Sequence, residues 1–337
     1  MAELKELFQD LQTPKRIVLV AHSRPDGDAI GSCLALKYYF EKKNHTVDVI
    51  APDEYPDFLN WMKDSDKIYI YLKKTKTCFA ILTKADYIFC CDFNAIKRIE
   101  KLGEDILKMH KAKLVMIDHH REPEHFALYE LWDHHASSTC ELVYKFILAA
   151  GDEQLIDKDI ASNIYAGMAM DTGVFQYSNT TAEVHEIAGK LMAFNINIEQ
   201  IHNDVYNQYG ENRLRFIGYL LSEKLEVLAE QHAAIMSITM QDAEKYKLSV
   251  GDKEGIVNLP LSMKDVSMAV LFTEDRDKIK ISFRSKGDVR VDLFAKQYFN
   301  GGGHKNAAGG STKISLDDTI IYFKNVLTEF IKNNTNN

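Results

Sequence analysis

The chain lacks the features of a membrane, secreted or duplex-gripping protein. No run approaches the ~18 apolar residues that a membrane-spanning helix needs. The start, MAELKELFQD, is charged and helix-like, without the basic-then-apolar layout of a secretory leader. A cytoplasmic protein that does not engage a membrane is the expectation. The five cysteines, Cys33, Cys78, Cys90, Cys91 and Cys140, are odd in number and form no Cys-x-x-Cys pair, so they read as buried, reduced thiols. There is no Gly-x-Ser-x-Gly elbow, and Cys33 falls in a helical pattern, so no covalent nucleophile stands out. Internal repeats are absent, and the only biased stretch is the Asn-rich tail 333–337, expected to fray. Positive charge is not in excess: 41 Lys+Arg face 49 Asp+Glu, a net −8. That balance disfavours a broad basic face for long duplex DNA, while leaving room for a small anion in a locally basic cleft.

What the chain has is ample core. Hydrophobic residues make up 46% of its 337 positions, which excludes disorder and suits two domains. The first half alternates strand and helix patterns. Short apolar runs at 17–21, 46–50, 87–91 and 113–117 read as strands, and 29–42, 142–150 and 157–170 as helices, with Ser137-Ser138-Thr139 and Glu141 marking a helix start. Apolar strands separated by helices predict an α/β fold with a mostly parallel sheet covered on both faces. From 183 to 228 the pattern is helical, and 212–226 reads as a helical connector. Strands at 233–239, 267–272 and 278–283 and a closing amphipathic helix at 317–332 predict a smaller α+β C-terminal domain. The expected boundaries are 1–205, 206–227 for the connector, and 228–337.

The strongest signal is where the acids fall. The first strand leads to His22-Ser-Arg-Pro-Asp26-Gly-Asp28, the third to Cys91-Asp92, and the fourth to Asp118-His119-His120. A later helix delivers Asp171-Thr172-Gly173. In an open α/β sheet the crevice beyond the carboxyl ends of the strands is the expected ligand site. Carboxylates and imidazoles converging there need a cation to join them. Oxygen and imidazole donors without thiolate suit Mn²⁺ or Mg²⁺ better than structural zinc. An Asp after a strand is most often a cap, and a lone His is most often packed or solvated, so the joint pattern carries the weight. His134-His135 has no expected strand before it and reads as a decoy.

The second half carries a basic, glycine-rich stretch. Between 276 and 305 there are eight Lys/Arg and three Asp, a local +5. Arg276, Lys278 and Lys280 read as a solvated face. Three glycines, Gly301–Gly303, let the backbone approach an anion, and Arg284 offers a guanidinium fork suited to phosphate.

His-x-x-x-Asp-x-Asp, a strand-end Asp, Asp-His-His and Asp-Thr-Gly together resemble the DHH phosphoesterase superfamily. Phe283-Arg284-Ser285 with Gly301-Gly302-Gly303-His304 resembles its DHH-associated C-terminal domain. The motifs run from His22 to Gly310. The stretch from Asp171 to Thr181 is most similar to the nanoRNase/pAp phosphatase branch. The resemblance implies two divalent cations, Mn²⁺ first and Mg²⁺ as the alternative. It places His22, Asp26, Asp92 and Asp171 on one, and Asp28, Asp92, His119 and Asp171 on the other. Asp118 would orient the His119–His120 pair, and His120 would face the phosphate or assist proton transfer. Arg284, Ser285, Gly302, Gly303 and His304 would bind the substrate's terminal nucleotide or phosphate, with Lys286 and Lys305 as weaker candidates. The cleft between the domains would be the active site, and the connector would let it open and close.

The implied activity is hydrolysis of short oligoribonucleotides to nucleoside 5′-monophosphates, and removal of the 3′-phosphate of 3′-phosphoadenosine 5′-phosphate (pAp). The alternatives are a soluble cyclic di-AMP or pApA phosphodiesterase and a non-catalytic nucleotide sensor. A RecJ-type exonuclease would carry a further domain for which this length leaves no room, and a pyrophosphatase would not need the GGGH element. Homodimerisation is left open, since no sequence feature specifies it.

Overall fold

A computed structural model describes residues 4–109, 111–207, 210–248, 251–253 and 255–334. The chain divides into two units, Met1–Gln208 and Tyr209–Asn337.

The first unit runs α1 (Leu4–Asp10), β1 (Arg16–Val20), α2 (Gly27–Lys42), β2 (Thr46–Ala51), β3 (Tyr69–Ile70), α3 (Tyr71–Leu82), β4 (Tyr87–Cys91), α4 (Glu100–Ile106), β5 (Lys113–Asp118), β6 (Tyr129–Trp132), α5 (Thr139–Ala149), α6 (Lys158–Asp171), α7 (Ala182–Met192) and α8 (Ile198–Tyr206). Its sheet has the order β3-β2-β1-β4-β5-β6, and every pair is parallel. The continuous apolar runs have a direct cause: both faces are buried. Ile17, Leu19, Phe89 and Ile117 belong to the core shared with α2, α5 and α6, while Val18, Val20, Ile88 and Cys90 belong to the core under α3 and α4. Burying each such side chain is worth roughly 1.5–3 kcal/mol. The adjacent Cys90 and Cys91 therefore pack on opposite faces, and all five cysteines are free and buried.

Four of these strands match the sequence expectation. The other two extend the sheet at its ends, and β6 corrects a premise: His134-His135 does follow a strand, which closes at Trp132. Because the sheet is all parallel, the carboxyl ends of β1, β4, β5 and β6 lie at one edge. The strand order reverses between β1 and β4, the switch point where ligands gather in such sheets.

The second unit runs α9 (Glu211–Tyr219), β7 (Glu226–Leu228), β8 (Ala233–Ile238), α10 (Met240–Lys245), β9 (Met268–Asp275), β10 (Lys278–Ser285), α11 (Val291–Tyr298), β11 (Gly302–His304), β12 (Ala307–Thr312) and α12 (Leu316–Asn334). The sheet order is β11-β12-β10-β9-β8-β7, antiparallel except for β8 with β9. Met268, Val270 and Phe272 pack toward α11 and α12, and Ala269 and Leu271 toward α9. The stretch expected as a helical connector departs from that description. α9 gives way to a π-helical turn at Leu220–Lys224, and β7 begins at Glu226. Phe216 and Leu220 are fully buried in the second unit's own core, so this segment is part of that unit. The end of the tail expected to fray lies outside the described residues. Among the described residues no helix is long and apolar enough to cross a membrane.

Candidate metal centre

Six of the expected ligands, with Asp118 and His120, form one connected nest at the sheet edge. Asp92 joins it. Its Oδ2 lies 3.3 Å from His22 Nε2, and its Oδ1 lies 3.6 Å from His119 Nε2 and 3.6 Å from His120 Nδ1. Asp26 approaches His22 Nε2 at 3.8 Å. His119 Nε2 also faces Asp171 at 3.1 Å and Asp28 at 4.0 Å. Within the first unit three groups result, each with donors close enough to share one ion: His22–Asp26–Asp92, Asp28–His119–Asp171 and Asp92–Asp118–His120. Asp171 stands in the second of these.

Local backbone chemistry aims the side chains. Asp26 is the N-cap of α2, accepting from the Asp28 and Ala29 N–H groups. Asp28, fully buried, accepts from the Thr139 and Cys140 N–H groups at 2.6 and 2.8 Å, at the start of α5. Ser138 caps that helix through Glu141 N–H, so the expected helix start has a second purpose: it anchors a carboxylate. Thr139 Oγ1 donates to Asp92 Oδ1 at 2.9 Å. Asp92 itself takes a φ of +67°, left-handed for a non-glycine residue, directly after β4. Such a conformation costs ~1–3 kcal/mol and persists where the surroundings fix it.

The imidazoles are held from behind. His22 Nδ1 donates to the Ser23 carbonyl at 2.9 Å, and His119 Nδ1 to the Ala136 carbonyl at 3.2 Å. Each therefore presents Nε2 to the acids, the usual support of a ligating histidine. Asp118 Oδ1 lies 2.8 Å from His120 Nδ1, and its Oδ2 accepts the His120 backbone N–H.

The electrostatics describe a nest with more acid than its imidazoles balance. Burial alone would lower His22, but Asp26 and Asp92 hold it up at about 10. Burial opposes His119 in the same way, and Asp171, Asp92 and Asp28 keep it well above the usual imidazole range. Burial would raise Asp92; the bond to His22 and the charges of the three histidines pull it below the carboxylate range. Burial and the neighbouring carboxylates push Asp28 well up, and burial pushes Asp171 up despite His119. No cysteine stands in the ion-holding groups found among the described residues; Cys33 and burial raise Cys91, and burial raises Cys140. Oxygen and imidazole donors around protonated thiols fit hard divalent cations.

In the second unit, strand register sorts the expected substrate residues. His304 pairs with Ala307, and Ala307 with Arg284, so Arg284 and His304 share one face two strands apart, about 10 Å. Gly302 lies on that face too, one position-pair along. Ser285 and Gly303 lie on the opposite face, where Ser285 is buried. Ser285 Oγ donates to the Val289 carbonyl and accepts from Asn306 Nδ2. A side chain at Gly301 would fall 1.9 Å from the Gly309 oxygen, and one at Gly303 2.5 Å from the Ala307 oxygen, whereas one at Gly302 would meet nothing within 4 Å among the described residues. Two of the three glycines thus serve the close β11–β12 pairing. Much of the local positive charge is paired: Lys280 with Asp275, Arg290 with Asp292, Lys305 with Asp288. Lys286 donates to the Met263 carbonyl.

An exopolyphosphatase-related protein from Bacteroides fragilis has the same fold, with a TM-score of 0.94 at 37% identity over 98% of this chain and 96% of that one. The DHH family, N-terminal domain, matches residues 16–168, and the DHHA1 domain matches residues 228–333. The chain belongs to the DHH family. A Bacillus subtilis relative named bifunctional oligoribonuclease and PAP phosphatase NrnA is 28% identical over 307 residues, 91% of this chain and 92% of that protein. A Thermus thermophilus protein of the same name is 24% identical, covering 94% and 90%. RecJ from Thermus thermophilus, solved in complex with Mn²⁺, shares the fold at a TM-score of 0.50 and 12% identity, with 97% of this chain and 54% of that one covered.

Within this DHH unit, sequence reasoning missed Thr139 and Trp132. Thr139 reads as part of a helix cap, and its bond to Asp92 spans 47 positions with no local trace. Trp132 donates its indole N–H to the His120 carbonyl at 2.6 Å; the strand that positions it was not expected. His134 and His135 stand in none of the ion-holding groups found among the described residues.

Proposed function

We propose that this chain is a divalent-cation-dependent phosphoesterase that hydrolyses short single-stranded oligoribonucleotides to nucleoside 5′-monophosphates and removes the 3′-phosphate of pAp. One observation carries the reading: Asp92 turns Oδ2 to His22 and Oδ1 to His119, between two groups of hard-cation donors. The NrnA-named relatives, similar over nearly their whole length, support the substrate class.

His22, Asp26 and Asp92 would hold one cation, and Asp28, Asp92 and His119 the other, with Asp171 shared; Mn²⁺ is the first choice and Mg²⁺ the second. When bound, the pair would acidify water near neutral pH and offset charge on the phosphoryl oxygens. The chain's own residues do the remaining work. The Ser23 and Ala136 carbonyls fix the His22 and His119 tautomers, so Nε2 stays aimed at the nest. Thr139 keeps Asp92 oriented. His120, held by Asp118 through Nδ1, moves a proton at Nε2 to the leaving oxygen. Arg284, Gly302 and His304 grip the terminal phosphate or nucleotide, while Ser285 and Gly303 stiffen the strands that carry them. In this reading 1–205 is the catalytic domain and 228–337 the substrate-binding domain. Five unpaired cysteines are in keeping with a cytoplasmic location.

The test is product analysis with the full chain and Mn²⁺ on pAp, a five-nucleotide RNA, pApA and cyclic di-AMP. Monophosphates from the RNA and AMP from pAp are expected. Turnover confined to pApA and cyclic di-AMP would favour the phosphodiesterase alternative, and binding without turnover would favour a sensor.

A further inference from the structure

The parallel pairing of β6 with β5 brings His134 and His135 to the catalytic edge. Asp133, His134 and His135 leave the sheet where Asp118, His119 and His120 leave it. Register sets Trp132 beside Asp118. The Trp132 indole donates to the His120 carbonyl, and the Asp133 N–H donates to the Asp118 carbonyl at 3.3 Å. The His134 ring stacks on Trp132 with centroids 5.4 Å apart and planes 24° apart. The His135 centroid is 3.9 Å from that of His134. Trp132 and His134 are half-buried, and His135 is exposed. A row of rings, Trp132, His134 and His135, therefore starts at the side chain bonded to the His120 carbonyl and ends at an exposed ring.

Apart from the Trp132 indole N–H that holds the His120 carbonyl, the phosphoesterase chemistry uses none of these rings. Their geometry suits the one part of an oligoribonucleotide that the nest does not address. Cations and imidazoles grip phosphate, but the bases need a place beside it. Single-stranded nucleic acid is held by stacking bases on aromatic side chains, histidine included, whatever the base, because every base has a π-face. We infer that Trp132, His134 and His135 form a stacking platform for a nucleobase adjoining the scissile phosphate. The inference rests on the phosphoesterase reading and adds to it a subsite that accepts all bases.

The test compares a trinucleotide RNA with three versions, each lacking one base. It uses the full chain, His134→Ala, His135→Ala and His134→Phe. His134→Ala should raise KM on the intact trinucleotide about tenfold with kcat unchanged, and His135→Ala should raise it less. The ratio of variant to wild type should fall to one on the version whose missing base would lie on the platform. His134→Phe, which keeps a ring, should restore KM. An unchanged KM in His134→Ala overturns the inference. So does an equal penalty on all three base-lacking versions, which would mean the side chain serves the phosphate or the fold. A second readout separates this inference from the activity. In a Trp61→Phe background Trp132 is the sole tryptophan, and the Trp61 indole N–H has no hydrogen-bond partner among the described residues. Quenching of its fluorescence by the intact trinucleotide supports the platform even if nothing is hydrolysed, and absence of quenching overturns it.

Discussion

Asp118 holds His120 at two points, with Oδ1 2.8 Å from the imidazole Nδ1 and Oδ2 accepting the backbone N–H at 3.1 Å. Asp118 is fully buried, and the role proposed for it is to orient His120. Asp118→Asn keeps the shape but weakens control of the tautomer. Its kcat should fall about 10- to 100-fold, the usual cost of removing such a supporting carboxylate, with KM little changed. A KM rise at constant kcat in steady-state kinetics would contradict that role.

The acid nest predicts opposite pH responses with and without cations. Asp26 and Asp92 hold His22 at about 10, above its ordinary 6.5. A raised value stabilises the fold fully below pH 6.5, and that stabilisation is lost as pH climbs through about 10. In chelator, Tm should therefore fall across this window, and His22→Gln should flatten the fall. Bound cations need deprotonated Nε2, so Mn²⁺ should raise Tm more at pH 8.5 than at pH 6. Calorimetry that finds the same Mn²⁺ increment at both values would count against the assignment.

Arg284 and its neighbour Ser285 should behave differently, because they face opposite sides of β10. Arg284→Ala removes a cation from the proposed binding face, together with its local bond to the Phe283 carbonyl, and should raise KM for pAp about 10- to 100-fold, with a smaller loss of Tm than Ser285→Ala. Ser285→Ala removes two internal hydrogen bonds and should cost about 1–3 kcal/mol of stability, with KM unaffected. Paired melting curves and kinetics check both.

The glycine triplet divides in the same way. Gly301→Ala would place a carbon 1.9 Å from the Gly309 oxygen and should lower Tm or prevent folding of the second unit. Gly302→Ala meets nothing and should melt like wild type while raising KM. Equal melting temperatures for the two variants would show that the backbone at Gly301 does not approach Gly309 of β12.

Much of this is legible in the sequence because burial on both faces writes itself as unbroken apolar runs. Ile17 to Val20 and Tyr87 to Cys91 read as strands for that reason, and the ligand types sit directly after them. What stays hidden depends on pairing partners distant in sequence. β3 has two residues. β6 reads Tyr-Glu-Leu-Trp, with a charge inside it and no apolar run, and without it His134-His135 reads as stranded in a loop. The connector reads as free because charges flank Phe216 and Leu220, with Arg213 and Arg215 before them and Glu223 and Lys224 after, and only the second sheet reveals what those two pack against. Ser285 and Arg284 are neighbours in sequence, yet the period of a strand sends them to opposite faces. That separation needs the sheet's orientation, which no motif records.

We propose above all that Asp92 joins two cation sites. Direct binding measurement on the full chain with Mn²⁺, in wild type and Asp92→Ala, tests it. Two ions per wild-type chain are expected, with tight binding of both lost in a folded Asp92→Ala protein that no longer hydrolyses pAp or short RNA. An Asp92→Ala protein that still binds two Mn²⁺ and turns over at the wild-type rate would contradict the account.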